Sequence, residues 1–303
     1  MKNKIVFLFP GQGSQYSGLG LNISKFYKKS DNYYKIAQDI LGFDIKEISF
    51  DKKSKKINST NITQPAIFIN SVIKNLILKE NNIIPEAVAG HSLGEFSALF
   101  SANVLTFEDA IRIIKIRSEE MHAAGKVNSG SMAAVIGANK SQLDKLCDQD
   151  ETVVVANYNS DNQVVISGTE VGINNAIEIS KRIGIKRIIK LNVSGAFHSP
   201  LMKFAREKLK NIIDITKFNK PSIPIYQNVD PYPIMCQEKI KDNLIKQLEN
   251  SVQWSNTVLN MKNDNYNYFL EVGPGKVLTN LNKKIINNSV NKSFKDVINY
   301  NNV

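Results

Sequence analysis

Cysteine is nearly missing from this chain: Cys147 and Cys236 are the only two among 303 residues, far apart and in no C-x-x-C spacing. That argues against a disulfide framework or a cysteine-ligated zinc site and fits a reducing, cytoplasmic compartment. Histidine is scarce as well, so any imidazole base must be sought among three residues, His91, His122 and His198. Long apolar runs are lacking, and Met1-Lys2-Asn3-Lys4 leads straight into a strand with no signal-peptide pattern, so no membrane span and no leader are expected. Acidic residues fall short of basic ones, 28 against 39, leaving a net charge of +11 that favours encounter with an acidic partner. Nucleic acid is not the expected one. The lysine-rich stretches at 52–56 and 181–190 have little aromatic interleaving and match no recognition module, and much of the lysine excess reads as compositional bias in a chain crowded with Asn and Ile.

What is present is a globular composition, 42% hydrophobic and 22% charged. Residues 1–124 alternate apolar strands with helical patterns: a strand at 5–9, helices around 20–41 and 65–80, a strand at 86–90, then helices near 94–102 and 107–123. Residues 125–130 read as a linker, rich in Gly, Ser and Asn. From 131 to 193 the order becomes β-α-β-β-α-β, a ferredoxin-like arrangement. After Pro200 the α/β pattern resumes, with a last helix beyond Gly273-Pro274-Gly275 and an Asn-rich tail from 287 to 303 expected to be loosely held. The expected fold is α/β: a large hydrolase-like domain (1–124 and 196–303) interrupted by a small ferredoxin-like α+β subdomain (125–195).

Two stretches carry chemistry. Gly90-His91-Ser92-Leu93-Gly94 is a G-x-S-x-G between an apolar strand and a good helix start, the context in which a serine hydroxyl is pushed out of the sheet. The helix that follows aims unpaired NH groups at the same spot; the plainer alternative is a turn whose serine only caps that helix. Serine needs a base. His91 lies inside the elbow, pointing away from Ser92, and reads as structural; His122 reads as a surface group at a helix end. His198, at the junction where the inserted segment returns, is the favoured base. On the helix opened by Thr106-Phe107-Glu108-Asp109, Arg117 falls on the apolar stripe of Ala110, Ile113, Ile114 and Met121. A guanidinium facing the core needs an anion, either one of the chain's own carboxylates or a carboxylate on a substrate.

The chain lacks an HGGG loop and an Asp-Gly pair, so it matches neither ordinary α/β-hydrolases nor patatin-like ones. "FPGQGSQ" at 9–15 lacks the third glycine of a dinucleotide loop, position 16 being Tyr16; Asp31 alone, at a tolerable distance for a ribose acid, carries little weight. Together with "GHSLGEFSAL" at 90–99, "RSEEM" at 117–121, "MAAVIG" at 132–137, "VVISG" at 164–168, "GAFHSPLM" at 195–202, "QLENSVQW" at 247–254 and "LEVGPGKVL" at 270–278, these motifs make the chain resemble the malonyl-CoA:acyl carrier protein transacylase family over almost its whole length. The resemblance implies Ser92 as nucleophile, His198 as base held by the main-chain carbonyl of Gln247, and Arg117 on the malonyl carboxylate. It further implies an oxyanion hole from the NH groups of Gln12 and Leu93, and an acyl pocket at Phe197 and Met121 that excludes a methylmalonyl branch. No permanently bound cofactor and no metal are implied; malonyl-CoA is the substrate, an acidic acyl carrier protein the partner, and a monomer the expected state. Departures at Asp161-Asn162 and Ser251, where the family often has Pro-Gly and Pro, fall in turns. A serine thioesterase using the same Ser-His pair is the alternative.

Overall fold

The computed structural model describes residues 4–127, 129–148 and 150–299. β1 (Ile5–Phe9) is apolar at every position, as a strand covered on both faces must be. Four helices follow, α1 (Leu21–Phe26), α2 (Ser30–Leu41), α3 (Ile45–Phe50) and α4 (Thr60–Glu80); then β2 (Ala87–Gly90) leads into α5 (Gly94–Ser101) and α6 (Phe107–Val127). The middle of the chain holds β3 (Gly130–Ile136), α7 (Lys140–Cys147), β4 (Val154–Ser160), β5 (Gln163–Thr169), α8 (Glu170–Arg182) and β6 (Arg187–Lys190). The remainder supplies α9 (Lys203–Ile215), β7 (Ile225–Tyr226), β8 (Pro233–Ile234), α10 (Gln237–Gln247), α11 (Trp254–Asn263), β9 (Tyr268–Glu271), α12 (Val277–Ile285) and β10 (Val290–Ser293).

These elements form an α/β fold with two sheets. Strands from both ends of the chain join in one six-stranded sheet, ordered β10-β9-β1-β2-β7-β8, parallel except for the last pair. The middle segment makes a separate antiparallel sheet, ordered β4-β5-β3-β6, whose own core includes Leu146 of α7 and Ile173 and Ala176 of α8. The two sheets are tied together at 250–253: Val252 N donates to Ala156 O at 2.8 Å, and Tyr158 N donates to Val252 O at 2.9 Å. The space above β1 and β2, facing the small sheet, is where the candidate site lies.

α6 shows why the local sequence takes this shape. Thr106 Oγ1 accepts from Asp109 N at 3.1 Å, which satisfies one of the helix's unpaired NH groups. The stripe of Ala110, Ile113, Ile114, Arg117 and Met121 is buried throughout. Each large apolar member contributes roughly 1.5–3 kcal/mol by leaving water, which lets the helix carry one buried cation.

Several boundaries differ from the sequence expectation. Residues 125–127 do not begin a linker but extend α6; Gly125 permits the close passage of the Ser194 carbonyl, which an added Cβ would meet at 1.6 Å. Asn128 of that stretch lies outside the described residues. His122 is accordingly inside α6 rather than at its end. The helical region expected at 20–41 is two helices, because Tyr27 leaves the helix and its hydroxyl donates to Glu80 at 2.9 Å. The Asn-rich tail is structured as far as 299: β10 pairs in parallel with β9, and Phe294 is buried beneath it. Three of its apolar residues, Phe294, Val297 and Ile298, pack on the main core, a signal that the surrounding asparagines hide. Residues 300–303 lie outside the described ones.

The start of α5 is so close to β1 that a Cβ on Gly94 would stand 1.9 Å from the Phe9 carbonyl oxygen. Gly94→Ala is therefore expected to cost about 3 kcal/mol or more, since only backbone could give way. Urea unfolding measures this; a loss under about 1 kcal/mol would show that the elbow does not depend on that approach.

Candidate active site

Ser92 sits at the sharp turn from β2 into α5 with φ +51°, a conformation that costs a non-glycine residue about 1–3 kcal/mol. Asn228, in the loop after β7, holds it there. Ser92 N donates to Asn228 Oδ1 at 2.6 Å, and Asn228 Nδ2 donates to Gly90 O at 2.6 Å. At about 1 kcal/mol net for each such bond, the two offset most of the strain.

His198 is also in the left-handed region, at φ +58°, where the segment leaving the small sheet turns toward the main one. Its Nδ1 lies 2.8 Å from Gln247 O, and its Nε2 lies 2.9 Å from Ser92 Oγ. A carbonyl can only accept, so Nδ1 carries the proton and Nε2 presents a lone pair to the serine hydroxyl. Burial, and then the charge of Arg117, hold the imidazole's pKa down at about 3, so the ring is neutral across the physiological range.

Arg117 is fully buried, yet none of the ion pairs among the described residues includes it. Its guanidinium donates to neutral oxygens: Gln64 Oε1 at 2.7 Å, Gln247 Oε1 at 2.8 Å and Ser92 Oγ at 3.0 Å. Its Nε is buried without a partner. Burial lowers its pKa to about 10, which leaves it cationic at neutral pH. The internal salt bridge considered from sequence is absent among the described residues, and the cation beside the serine has no carboxylate in contact with it.

Ser92, Arg117, Met121, Phe197 and His198 line one cavity of about 510 Å³, together with Gln12. The GQG loop reaches it because Gly11 has no side chain: a Cβ there would meet His91 O at 2.4 Å. Leu93 precedes the first turn of α5, so its NH has no acceptor within the helix. His91 Nε2 pairs with Asn159 Oδ1 at 3.0 Å, and its ring lies against Trp254, away from the serine hydroxyl. His122 makes none of the contacts around Ser92. Among the described residues no group of three or more His, Cys, Asp or Glu side chains is arranged to hold a metal ion.

The residues singled out from sequence thus converge on one cavity, except Gln247, which stands behind His198 and Arg117. Sequence reasoning missed three others. Gln64 is one of several polar residues buried along α4, with Thr60, Ser71 and Asn75 on the same side, so nothing in the local sequence set it apart. Glu95 falls in the first turn of α5, where acidic residues are ordinary, and only its burial marks it. Asn228 lies in a loop with no local motif at all.

Residues 6–298 match the family model described as the acyl transferase domain, and the chain belongs to that family. Within it, a malonyl CoA-acyl carrier protein transacylase of Bacillus subtilis (strain 168) is 38% identical over 287 residues, 93% of this chain and 90% of that one. The crystal structure of the malonyl-CoA:acyl carrier protein transacylase from Xanthomonas oryzae pv. oryzae KACC10331 superposes with a TM-score of 0.91 at 32% identity, covering 96% of this chain and 94% of that one. A malonyl-transacylase solved in complex with its type II polyketide synthase acyl-carrier protein gives a TM-score of 0.90 at 34% identity, with coverage of 96% and 94%.

A serine-directed fluorophosphonate is expected to label Ser92, with His198→Ala slowing labelling about 10²–10⁴-fold. Because the depressed pKa keeps His198 uncharged until far below neutrality, the rate at pH 5.5 should stay within about twofold of that at pH 7.5. A tenfold fall by pH 5.5 would mean an ordinary histidine.

Proposed function

We propose that this acyltransferase moves the malonyl group of malonyl-CoA to the phosphopantetheine thiol of an acyl carrier protein through an ester on Ser92, supplying fatty-acid synthesis. The observation that carries the reading is Arg117, a buried cation with no carboxylate of its own, 3.0 Å from the Ser92 hydroxyl. A malonyl thioester has a free carboxylate two carbons from the carbonyl under attack, which suits a nucleophile and a cation so close together. The names of the relatives support the same substrate and acceptor.

In the first half-reaction His198 Nε2 takes the Ser92 proton as Oγ adds to the thioester carbonyl. The NH groups of Gln12 and Leu93 receive the oxyanion, and His198 returns its proton to the CoA sulfur as the C–S bond breaks. In the second, the carrier thiol gives its proton to His198 and attacks the ester, and Ser92 recovers that proton on leaving. Arg117 has a second effect. Since its charge helps hold the His198 pKa down, neutralising it with the substrate carboxylate makes the imidazole a stronger base only when malonyl is present. Phe197 and Met121 would bound the acyl pocket.

We further assign the large hydrolase-like domain to 1–127, which keeps α6 whole, and 196–303, and the ferredoxin-like subdomain to the segment between them, supported by the two separate sheets. The carrier is taken as acidic, given the net charge of +11. A monomeric, cytoplasmic enzyme with no permanent cofactor is the simplest form. Its cysteines are free, and no described helix is long and apolar enough to cross a membrane.

Intact mass spectrometry after malonyl-CoA should show a malonyl adduct absent from Ser92→Ala, which moves to phosphopantetheinylated carrier protein on addition. An adduct lost to water with the carrier unmodified would instead indicate a thioesterase. Arg117→Ala should lower kcat/KM for malonyl-CoA about a hundredfold or more while relatively favouring acetyl-CoA; an equal loss for both donors would remove Arg117 from selectivity. Raising salt should weaken transfer to the carrier more than transfer to pantetheine, and an equal effect would end the steering idea.

A further inference from the structure

Glu95 is a buried carboxylate, 1% exposed, that makes no ion pair among the described residues. Such a group is a poor stability device, because a charge removed from water without a contacting counterion costs several kcal/mol. Its two oxygens are nonetheless satisfied. Oε1 accepts from Asn228 N at 2.9 Å, and Oε2 accepts from the Gln247 side-chain amide.

That amide is the informative group. Its nitrogen donates to Glu95 Oε2 and, at 3.1 Å, to Ser92 O, while its oxygen accepts from Arg117 at 2.8 Å. A glutamine amide can turn by 180° with little change in shape, and what decides its orientation is the chemistry on each side. Arg117 can only donate; an ionised Glu95 can only accept. Turning the amide would point NH₂ at a guanidinium and an oxygen at a carboxylate and a carbonyl.

We propose that Glu95 is a positioning residue for the reaction, locking the Gln247 amide with its oxygen on Arg117 so that the guanidinium stays aimed beside Ser92. The relay runs carboxylate, amide, guanidinium, and it supplies a remote counter-charge without a direct salt bridge that would quench the cation. Both Glu95 oxygens accept, the pattern of the ionised form; burial raises its carboxyl to about 7 even against the opposing pull of the Asn228 NH, the Gln247 amide and the Arg117 charge. A glutamine at 95 would keep the size and one acceptor. Once that acceptor serves Asn228 N, its NH₂ faces the Gln247 amide and favours the turned orientation.

The inference rests on the proposed malonyl transfer, and its test separates the two. kcat/KM is measured for malonyl-CoA and acetyl-CoA with pantetheine as acceptor. Glu95→Gln should lower the malonyl value about tenfold and the acetyl value less than threefold, so the malonyl preference falls. In a Gln247→Met background, which keeps the main-chain carbonyl on His198 but removes the amide, Glu95→Gln should add nothing further. An unchanged malonyl preference in Glu95→Gln, or the same penalty in both backgrounds, overturns the proposal. If Glu95→Gln does not fold, Gln247→Met alone must reduce the malonyl preference, and an unchanged preference there overturns it equally. A wild-type chain that forms no malonyl ester overturns the functional reading itself, and the relay with it.

Discussion

A guanidinium buried without a contacting carboxylate is the constraint on which the rest of this site depends. Burying a charge costs several kcal/mol unless polar groups replace its water, and Arg117 receives only neutral oxygens from Gln64, Gln247 and Ser92. Those bonds hold it in place without cancelling its charge. The apolar stripe of α6 carries the cost, since the same helix buries Ile113, Ile114 and Met121 beside it. The cation is left without an anion in contact, and it lines the cavity beside Ser92.

The same constraint explains why the histidine is held by a carbonyl. An aspartate against His198 Nδ1 would stand close enough to Arg117 to attract it, and the cation would lose its free charge to an internal partner. Gln247 O orients the ring and fixes its tautomer while adding no charge. The cost is a weakly basic imidazole, because the pull of the Gln247 carbonyl on its far side is smaller than the opposing effects of burial and the nearby guanidinium. Gln247 thus serves both groups at once, with its main chain on His198 and its side chain on Arg117. Glu95 stands one residue further back, where its charge is felt across an amide rather than through contact.

The two-sheet architecture supplies the walls. β2 and α5 present Ser92 from the large sheet, the segment returning from β6 brings His198 and Phe197, and the hydrogen bonds at 250–253 fix the small sheet over the mouth. Much of this was legible beforehand. Apolar runs bounded by turn residues marked β1, β2 and β9, and the spacing of Thr106, Ala110, Ile114 and Met121 marked α6. The misreadings share a cause: Gly125 looked like a linker and residues 287–299 like a loose tail because composition was read without tertiary partners. The Ser194 backbone against Gly125 and the β9 edge beside β10 are contacts between residues far apart in sequence.

The sequence alone determined the local chemistry: a serine forced out at a glycine-flanked elbow, an arginine on an apolar stripe, and a histidine at a junction. Each follows from short-range sterics or helical spacing, which a few adjacent residues settle. Tertiary structure alone decided which groups meet. Glu95, Gln64, Asn228 and the side chain of Gln247 look unremarkable in their own segments; folding places them within hydrogen-bond reach of one another and strips away their water. In that dry space an amide's orientation and a missing counterion become the features on which the site turns.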